Sequence, residues 1–182
     1  MTSLTTTLRQ TKPSTIAGVV GFAAILAAAA QVTLPIPGTP VPFSLQPLVV
    51  VLAGLMLGPV AGAASMGLYL VAGALGAPVF SPVPGLPQGV ARFFGPTGGY
   101  LIAYPVAAWV AGSLAGRQST FFRRFLAACG GIAMIFVGGI AQLTIITGSI
   151  GRALDLGITP FVPLDAVKAL MAAGIATPRK QK

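Results

Sequence analysis

The charged residues of this chain are few, and two of them stand three positions apart at the head of an apolar stretch. The chain has two acidic residues, Asp155 and Asp165, and Asp165 lies with Lys168 in the segment PLDAVKALMAAG. A spacing of three places both side chains on one face of a helix. Such a pair either neutralises itself or offers a ligand an ammonium donor and a carboxylate acceptor.

Composition indicates that these charges lie in a membrane protein. Of 182 residues, 55% are hydrophobic and 7% are charged, whereas soluble domains average about 25% charged residues. The 24 glycines and the alanine runs are typical of helices that pack closely in lipid. We therefore predict an all-α integral membrane protein. The basic residues lie between and beyond apolar stretches, so the net charge of +9 indicates membrane orientation rather than nucleic-acid binding.

Six apolar stretches are long enough, or nearly so, to cross a bilayer. They cover about 15–30, 45–57, 60–76, 100–116, 125–146 and 161–177. We expect residues 1–14 to be a cytoplasmic tail, 15–177 a six-helix transmembrane domain that binds the substrate, and 178–182 a basic cytoplasmic tail. The first stretch, with AAAAQ after it, is also compatible with a cleaved signal peptide.

The positive-inside rule supports cytoplasmic N- and C-termini. Eight of the eleven basic residues then lie inside, all but Arg92, Arg152 and Lys168. Those three fall on the outer side with both aspartates, and Arg152 and Asp155 are expected to form a surface ion pair. The outer loops are also long and rich in Pro and Gly, which is typical of a cavity wall or lid.

The acid and the base have two interpretations in this setting. Asp165 in a first turn favours the helix dipole, whereas Lys168 opposes it and costs about 2.5–3.5 kcal/mol in a membrane helix. In one interpretation Lys168 reaches the outer interface and pairs with Asp165. In the other, which Arg92 on the same side favours, Lys168 and the positive helix end bind a ligand carboxylate and Asp165 accepts ligand N–H groups. Phe43 and Tyr100 are candidates for aromatic walls.

Several classes of chemistry lack their residues. There is no His, Cys129 is the one cysteine, and no lysine follows a glycine as an ATP-binding loop requires. Two isolated aspartates give little material for acid–base catalysis. We predict that the protein is no enzyme, holds no metal or cofactor, and depends on partner subunits for any use of ATP.

The first span carries a face of small residues in GVVGFAAILAAAA. The face consists of Gly18, Gly21, Ala24 and Ala28, with Ala23 and Ala27 beside them. Small residues let another helix approach closely. The face either packs within the bundle or docks onto a separate membrane subunit.

Three motifs in order along the chain resemble the BioY family, the biotin-specific substrate-binding (S) components of energy-coupling factor (ECF) vitamin transporters. They are TPVPFSLQ, GPTGGY and the D-x-x-K of PLDAVKALMAA. The resemblance implies a six-helix S-component fold in the bacterial plasma membrane, with an outward-facing biotin pocket closed by the loop after the first span. It implies that a transmembrane coupling (T) subunit and paired ATPases are partners.

The resemblance also implies roles for particular residues. Asp165 and Lys168 match the family pair that contacts the ligand, and Arg92 lies where a basic residue helps to hold the valerate carboxylate. The alanines 23, 24, 27 and 28 match the surface that docks the T subunit. An Asn that contacts the ureido ring in some relatives has no counterpart, so Ser81 or Gln88 would substitute for it.

Three alternatives stay open at this point. A biotin-capture subunit of a multi-subunit importer is the leading hypothesis, and its rivals are a solitary biotin carrier that needs no ATPase and an S component for another small carboxylated vitamin. A structural membrane-assembly protein without a ligand is the third alternative.

Overall fold

The helices of the structure follow the apolar stretches of the sequence. A computed structural model describes residues 13–83, 85, 87–116 and 120–177. Its helices are α1 Pro13–Gln31, α2 Gln46–Leu57, α3 Pro59–Ala74, α4 Gly98–Ala115, α5 Phe121–Thr147, α6 Ile150–Gly157 and α7 Val162–Ala176, with a 3₁₀ helix at Gly89–Phe94. The basic tail 178–182 and nearly all of the predicted N-terminal tail lie outside the described residues.

Three helices satisfy the length and hydropathy expected of a membrane span, namely α1, α4 and α5. Helices α6 and α7 are bent by 54° to one another and satisfy the same test as a pair. Helices α2 and α3 are shorter, with 12 and 16 residues. Between them Gly58 has a φ of +82° and Pro59 begins α3, so the chain turns directly from one helix into the next. Large apolar side chains are exposed along the helices, as expected where lipid surrounds a bundle.

Two segments that the sequence indicated as loops contain regular structure. Thr33–Leu34 and Phe43–Ser44 pair as antiparallel strands β1 and β2, so the all-α prediction omits a small hairpin. Residues 150–157 form α6, where the Ser149 side chain accepts the backbone N–H of Arg152 as an N-cap.

The prediction of a surface ion pair between Arg152 and Asp155 is wrong. Both residues are exposed, and the described residues contain a single ion pair, which joins Lys168 to Asp165. Two exposed charges on one short helix gain little by fixing two flexible side chains in one geometry.

Two arginines at the start of α5 make hydrogen bonds at the end of the bundle that lies opposite the 3₁₀ helix. Arg123 Nε donates to the Leu114 carbonyl at the end of α4, at 2.9 Å. Arg124 Nη1 donates to the Ala176 carbonyl at the end of α7, at 2.5 Å. Cations stabilise helix C-termini, where carbonyls lack intrahelical partners. These bonds therefore anchor α4 and α7, the helices that carry the residues described next.

Candidate functional site

A cavity lies at the end of the bundle where α2, α4 and α7 begin. Its empty space, open solvent at the mouth included, amounts to about 610 Å³. The polar residues of its wall are Ser44, Gln46, Ser81, Arg92, Thr97, Tyr100, Tyr104, Asp165 and Lys168. Phe80, Phe136 and Phe161 contribute apolar surface. Convergent polar groups on a mostly apolar wall are typical of a ligand site.

The first two turns of α7 bring the acid and the base into this cavity. Asp165 and Lys168 are both buried, and Lys168 Nζ donates to Asp165 Oδ1 at 2.5 Å. The ammonium also lies 4.2 Å from the centre of the Phe43 ring on β2, which is within cation–π range. Because the two charges neutralise one another, the pair adds dipoles and hydrogen-bonding groups to the cavity but no net charge.

Arg92 of the 3₁₀ helix brings the cavity its uncompensated charge. The residue is 2% exposed, and its Nη1 and Nη2 donate to the carbonyls of Pro87 and Ser81 at 3.3 and 3.0 Å. Its Nε is buried without a partner among the described residues. Burial lowers the pKa of Arg92 from its ordinary value, yet a guanidinium stays protonated in proteins. The site therefore carries one positive charge that faces neutral oxygens.

A single amide on α5 holds the segment that carries Arg92. Gln142 Nε2 donates to the carbonyls of Phe93 and Gly95, each at 2.8 Å. These carbonyls lie at the end of the 3₁₀ helix, where the chain turns into α4. This role was not predictable from sequence, because Gln142 lies more than forty residues from its partners.

Removal of this amide is expected to loosen the Arg92 segment. Gln142→Leu leaves the Phe93 carbonyl without its side-chain donor and the Gly95 carbonyl with the Gly98 N–H alone, so we expect the free energy of unfolding to fall by about 1–3 kcal/mol. Amide hydrogen exchange, measured by mass spectrometry, should accelerate in residues 93–97 relative to α4. Gln31→Leu is the matched control, because Gln31 makes its bonds at an exposed position. Unchanged exchange in 93–97 would contradict this role.

Tyr100 is held in the cavity wall by two glycines. Its hydroxyl donates to the Gly157 carbonyl at 3.0 Å, and its ring covers Gly139 of α5, where a Cβ would overlap the ring. A Cβ at Gly157 would overlap the hydroxyl. Alanine at either glycine would therefore displace the ring.

Ser81 and Gln46 occupy the wall between α2 and the end of α3. Ser81 Oγ donates to Gln46 Oε1 at 3.4 Å, and Gln46 Nε2 donates to Tyr69 Oη at 2.9 Å. Ser81 was a candidate from sequence, whereas Gln46 and Tyr104 were not. Gln46 does lie in the motif TPVPFSLQ that carried the resemblance, which was the available signal.

The structure brings together five of the seven residues singled out as substrate-binding: Asp165, Lys168, Arg92, Tyr100 and Ser81. Phe43 stands behind them, against Lys168. Gln88 lies outside the cavity wall, is exposed, and donates to the Ser81 carbonyl at 3.3 Å. It therefore shares the Ser81 carbonyl with Arg92 as a hydrogen-bond acceptor.

The four alanines singled out on α1 point in different directions. Ala23 is buried in the core and Ala27 packs against it, whereas Ala24 and Ala28 are exposed. A Cβ at Gly21 would meet no atom within 4 Å, but one at Gly18 would overlap Leu57 of α2. The open small-residue face of α1 therefore consists of Gly21, Ala24 and Ala28.

Comparisons with known proteins cover nearly the whole chain. The BioY family model matches residues 2–182. A probable biotin transporter BioY of Pyrococcus horikoshii is 41% identical over 155 residues, which are 85% of this chain and 89% of that protein. The biotin transporter BioY of Thermotoga maritima is 34% identical over the same shares. The crystal structure of an S component for biotin from an ECF-type ABC transporter has 26% identity and a TM-score of 0.79, covering 90% of this chain and 88% of that one.

Proposed function

Because this chain belongs to the BioY family, we propose that it takes up biotin as the substrate-binding component of an ECF-type ABC importer. The observation that carries the proposal is a cavity with one net positive charge and a buried acid–base pair, in a fold similar to the S component for biotin. Biotin offers one carboxylate, a ureido ring with N–H donors and a carbonyl acceptor, and an apolar thiophane ring. Each of these groups has a counterpart in the cavity wall.

Arg92 is the group that we assign to the ligand carboxylate. Lys168 was the first candidate for that role from sequence, but its ammonium is already paired with Asp165. Among the described residues, the Arg92 guanidinium donates to two carbonyls and keeps a buried Nε without a partner. A buried cation gains most from the anion that neutralises it, and guanidinium and carboxylate match in bidentate geometry.

The pair on α7 is then left for the ureido ring. Asp165 accepts a ureido N–H, and Lys168 donates to the ureido carbonyl, so the uncharged ureido ring binds at a pair whose two charges already neutralise one another. Hydrogen bonds to a charged group are worth about 1.5–3 kcal/mol, and a site built for them rejects analogues that lack the matching groups. Phe80, Phe161 and Tyr100 cover the apolar ring.

The charge distribution supports a cavity that opens to the outside of the plasma membrane. Arg123 and Arg124 lie where α5 begins, and the cavity lies at the other end of the bundle. Under the positive-inside rule the arginine end is cytoplasmic. We extend this to six crossings, with α2, α3 and the bent pair α6–α7 as spans and both termini cytoplasmic.

The exposed small-residue face of α1 is the surface that we assign to the T subunit, with the paired ATPases beyond it. Ala24→Phe adds a ring where close approach is needed, so uptake by the complete complex should fall by about tenfold or more, which requires about 1.4 kcal/mol. Biotin binding by the isolated chain should not change. Ile102→Phe, at a half-exposed position of α4, is the control. Equal uptake by the two variants would place the T subunit on another face.

The proposal is tested by uptake of labelled biotin in cells that lack their own biotin transporter. Expression of this chain with a T subunit and paired ATPases should give uptake that competes with unlabelled biotin and not with other small carboxylated vitamins. Uptake by the chain alone at the same rate would favour a solitary carrier. Competition by another vitamin over biotin would change the substrate and leave the architecture intact.

A further inference from the structure

The Gln46 side chain is a buried polar group that neither the α7 pair nor Arg92 accounts for. It begins α2, is 5% exposed, and lies in the cavity wall. A buried amide that only filled space would cost free energy unless its hydrogen-bonding groups were satisfied. The partners of Gln46 therefore indicate what else the residue does.

A chain of hydrogen bonds determines the orientation of this amide. Tyr69 has one hydroxyl proton, and it donates to the Val79 carbonyl at 3.2 Å. The hydroxyl must then accept from Gln46, so Nε2 faces Tyr69 and Oε1 faces Ser81. In the flipped orientation Oε1 would face a hydroxyl oxygen whose proton is already used, and Nε2 would face Ser81.

Half of the hydrogen-bonding capacity of the amide is left over. A glutamine side chain has two N–H donors and two acceptor lone pairs. Tyr69 accepts one of the N–H groups, and the Ser81 hydroxyl donates to one lone pair of Oε1; no other partner of this amide exists among the described residues. One N–H of known position and one lone pair of Oε1 therefore remain for the contents of the cavity.

We propose that Gln46, oriented by Tyr69, is a specificity-determining residue that recognises a cyclic urea. Its Oε1 accepts one ureido N–H and its Nε2 donates to the ureido carbonyl, so it contacts the ring from the α2 side while the α7 pair contacts it from the other. This inference rests on the proposed function. It adds Gln46 to the residues that contact the ligand. Its Nε2 donor would distinguish a ligand with a carbonyl acceptor from a ligand with a donor at the position of the ureido oxygen.

The test compares biotin with 2-iminobiotin, in which a protonated imino nitrogen donates where the ureido oxygen accepts. The purified full chain is titrated with both ligands by calorimetry. Gln46→Leu is expected to weaken biotin by about 10–100-fold, from two lost hydrogen bonds, with equal losses for biotin and its methyl ester. Gln46→Glu, which has acceptors only, should weaken biotin similarly and bind 2-iminobiotin better than the unaltered chain does.

Tyr69→Phe keeps Gln46 and removes only the group that orients it, so it serves where Gln46 variants fail to fold. It should narrow the preference for biotin over 2-iminobiotin by about tenfold or more, because a flipped amide can then offer its acceptor. Two results would overturn the inference. One is an equal loss of affinity for biotin and for 2-iminobiotin in Gln46→Leu, and the other is an unchanged preference for biotin over 2-iminobiotin in Tyr69→Phe. If the unaltered chain failed to bind biotin, the proposed function itself would fall.

Discussion

Arg92→Gln is expected to weaken the binding of biotin by about 100-fold or more, because truncating one member of a buried charge pair costs about 2–5 kcal/mol. The same variant should bind biotin methyl ester almost as well as the unaltered chain does, since the ester brings no charge to neutralise. Calorimetric titration of the purified protein with both ligands measures the two affinities. Their ratio, rather than either value, identifies the group that holds the carboxylate.

Arg152→Gln is the matched control, because Arg152 is an exposed arginine on α6 and its loss should change neither affinity. Two outcomes would contradict the assignment. Equal losses for the acid and the ester in Arg92→Gln would mean that Arg92 supports the wall rather than the ligand charge. An ester-sparing loss in Lys168→Met instead would return the carboxylate to Lys168, as the sequence first indicated.

The second large effect concerns the α7 pair and separates stability from binding. Asp165→Asn and Lys168→Met each leave one charge buried alone, so each should lower the free energy of unfolding of the ligand-free protein by up to about 3–5 kcal/mol. The double variant should recover most of that loss, because a buried ion pair replaced by neutral groups is often close to neutral in stability. All three variants should bind biotin and its methyl ester at least about tenfold more weakly.

The double variant is the decisive one. Its free energy of unfolding is measured by denaturant unfolding in detergent, and its affinity for biotin by calorimetry. A stable double variant that does not bind indicates that the pair serves the ligand. A double variant that is stable and binds biotin normally would make the pair dispensable. A double variant as unstable as the singles would mean that the pair fastens α7 to its neighbours, and the ureido assignment would be withdrawn.

Much of the helical framework was predictable because apolar runs and glycine–proline breaks are local signals. The second predicted stretch, 45–57, and α2 differ at their starts by one residue, and Gly58-Pro59 separates α2 from α3 as expected. The pairing of Asp165 with Lys168 was equally local, since a spacing of three on a helix brings the side chains together. The order of the three motifs along the chain indicated the S-component fold, whereas composition alone indicates only a helical membrane protein.

The parts that escaped prediction depend on contacts between distant segments. Gln46 is one amide in a Pro-rich run, and its role is set by Tyr69, 23 residues later, and Ser81, 35 residues later. Gln142 acts on carbonyls more than forty residues before it. On α1, Ala23 faces the core and Ala24 is exposed. Which alanine is buried depends on how α1 is rotated about its axis against the bundle, and a run of similar small residues does not specify that rotation.

The choice between Lys168 and Arg92 for the carboxylate shows the same limit in electrostatic terms. From sequence, both were outer-side cations, and Lys168, although it could pair with Asp165, had the positive helix end in its favour as an anion site. The structure pairs Lys168 with Asp165 and surrounds Arg92 with carbonyls. The preferred position for an anion depends on which cation is already neutralised, and that is a property of the folded chain.

Equilibrium binding of labelled biotin to the purified chain, without partner subunits, tests the central claim most directly. We expect saturable binding. Unlabelled biotin should displace the labelled biotin, the methyl ester should displace it more weakly, and an unrelated monocarboxylate of the same charge should not displace it. Absence of saturable binding, or equal displacement by any monocarboxylate, would contradict a cavity built for biotin.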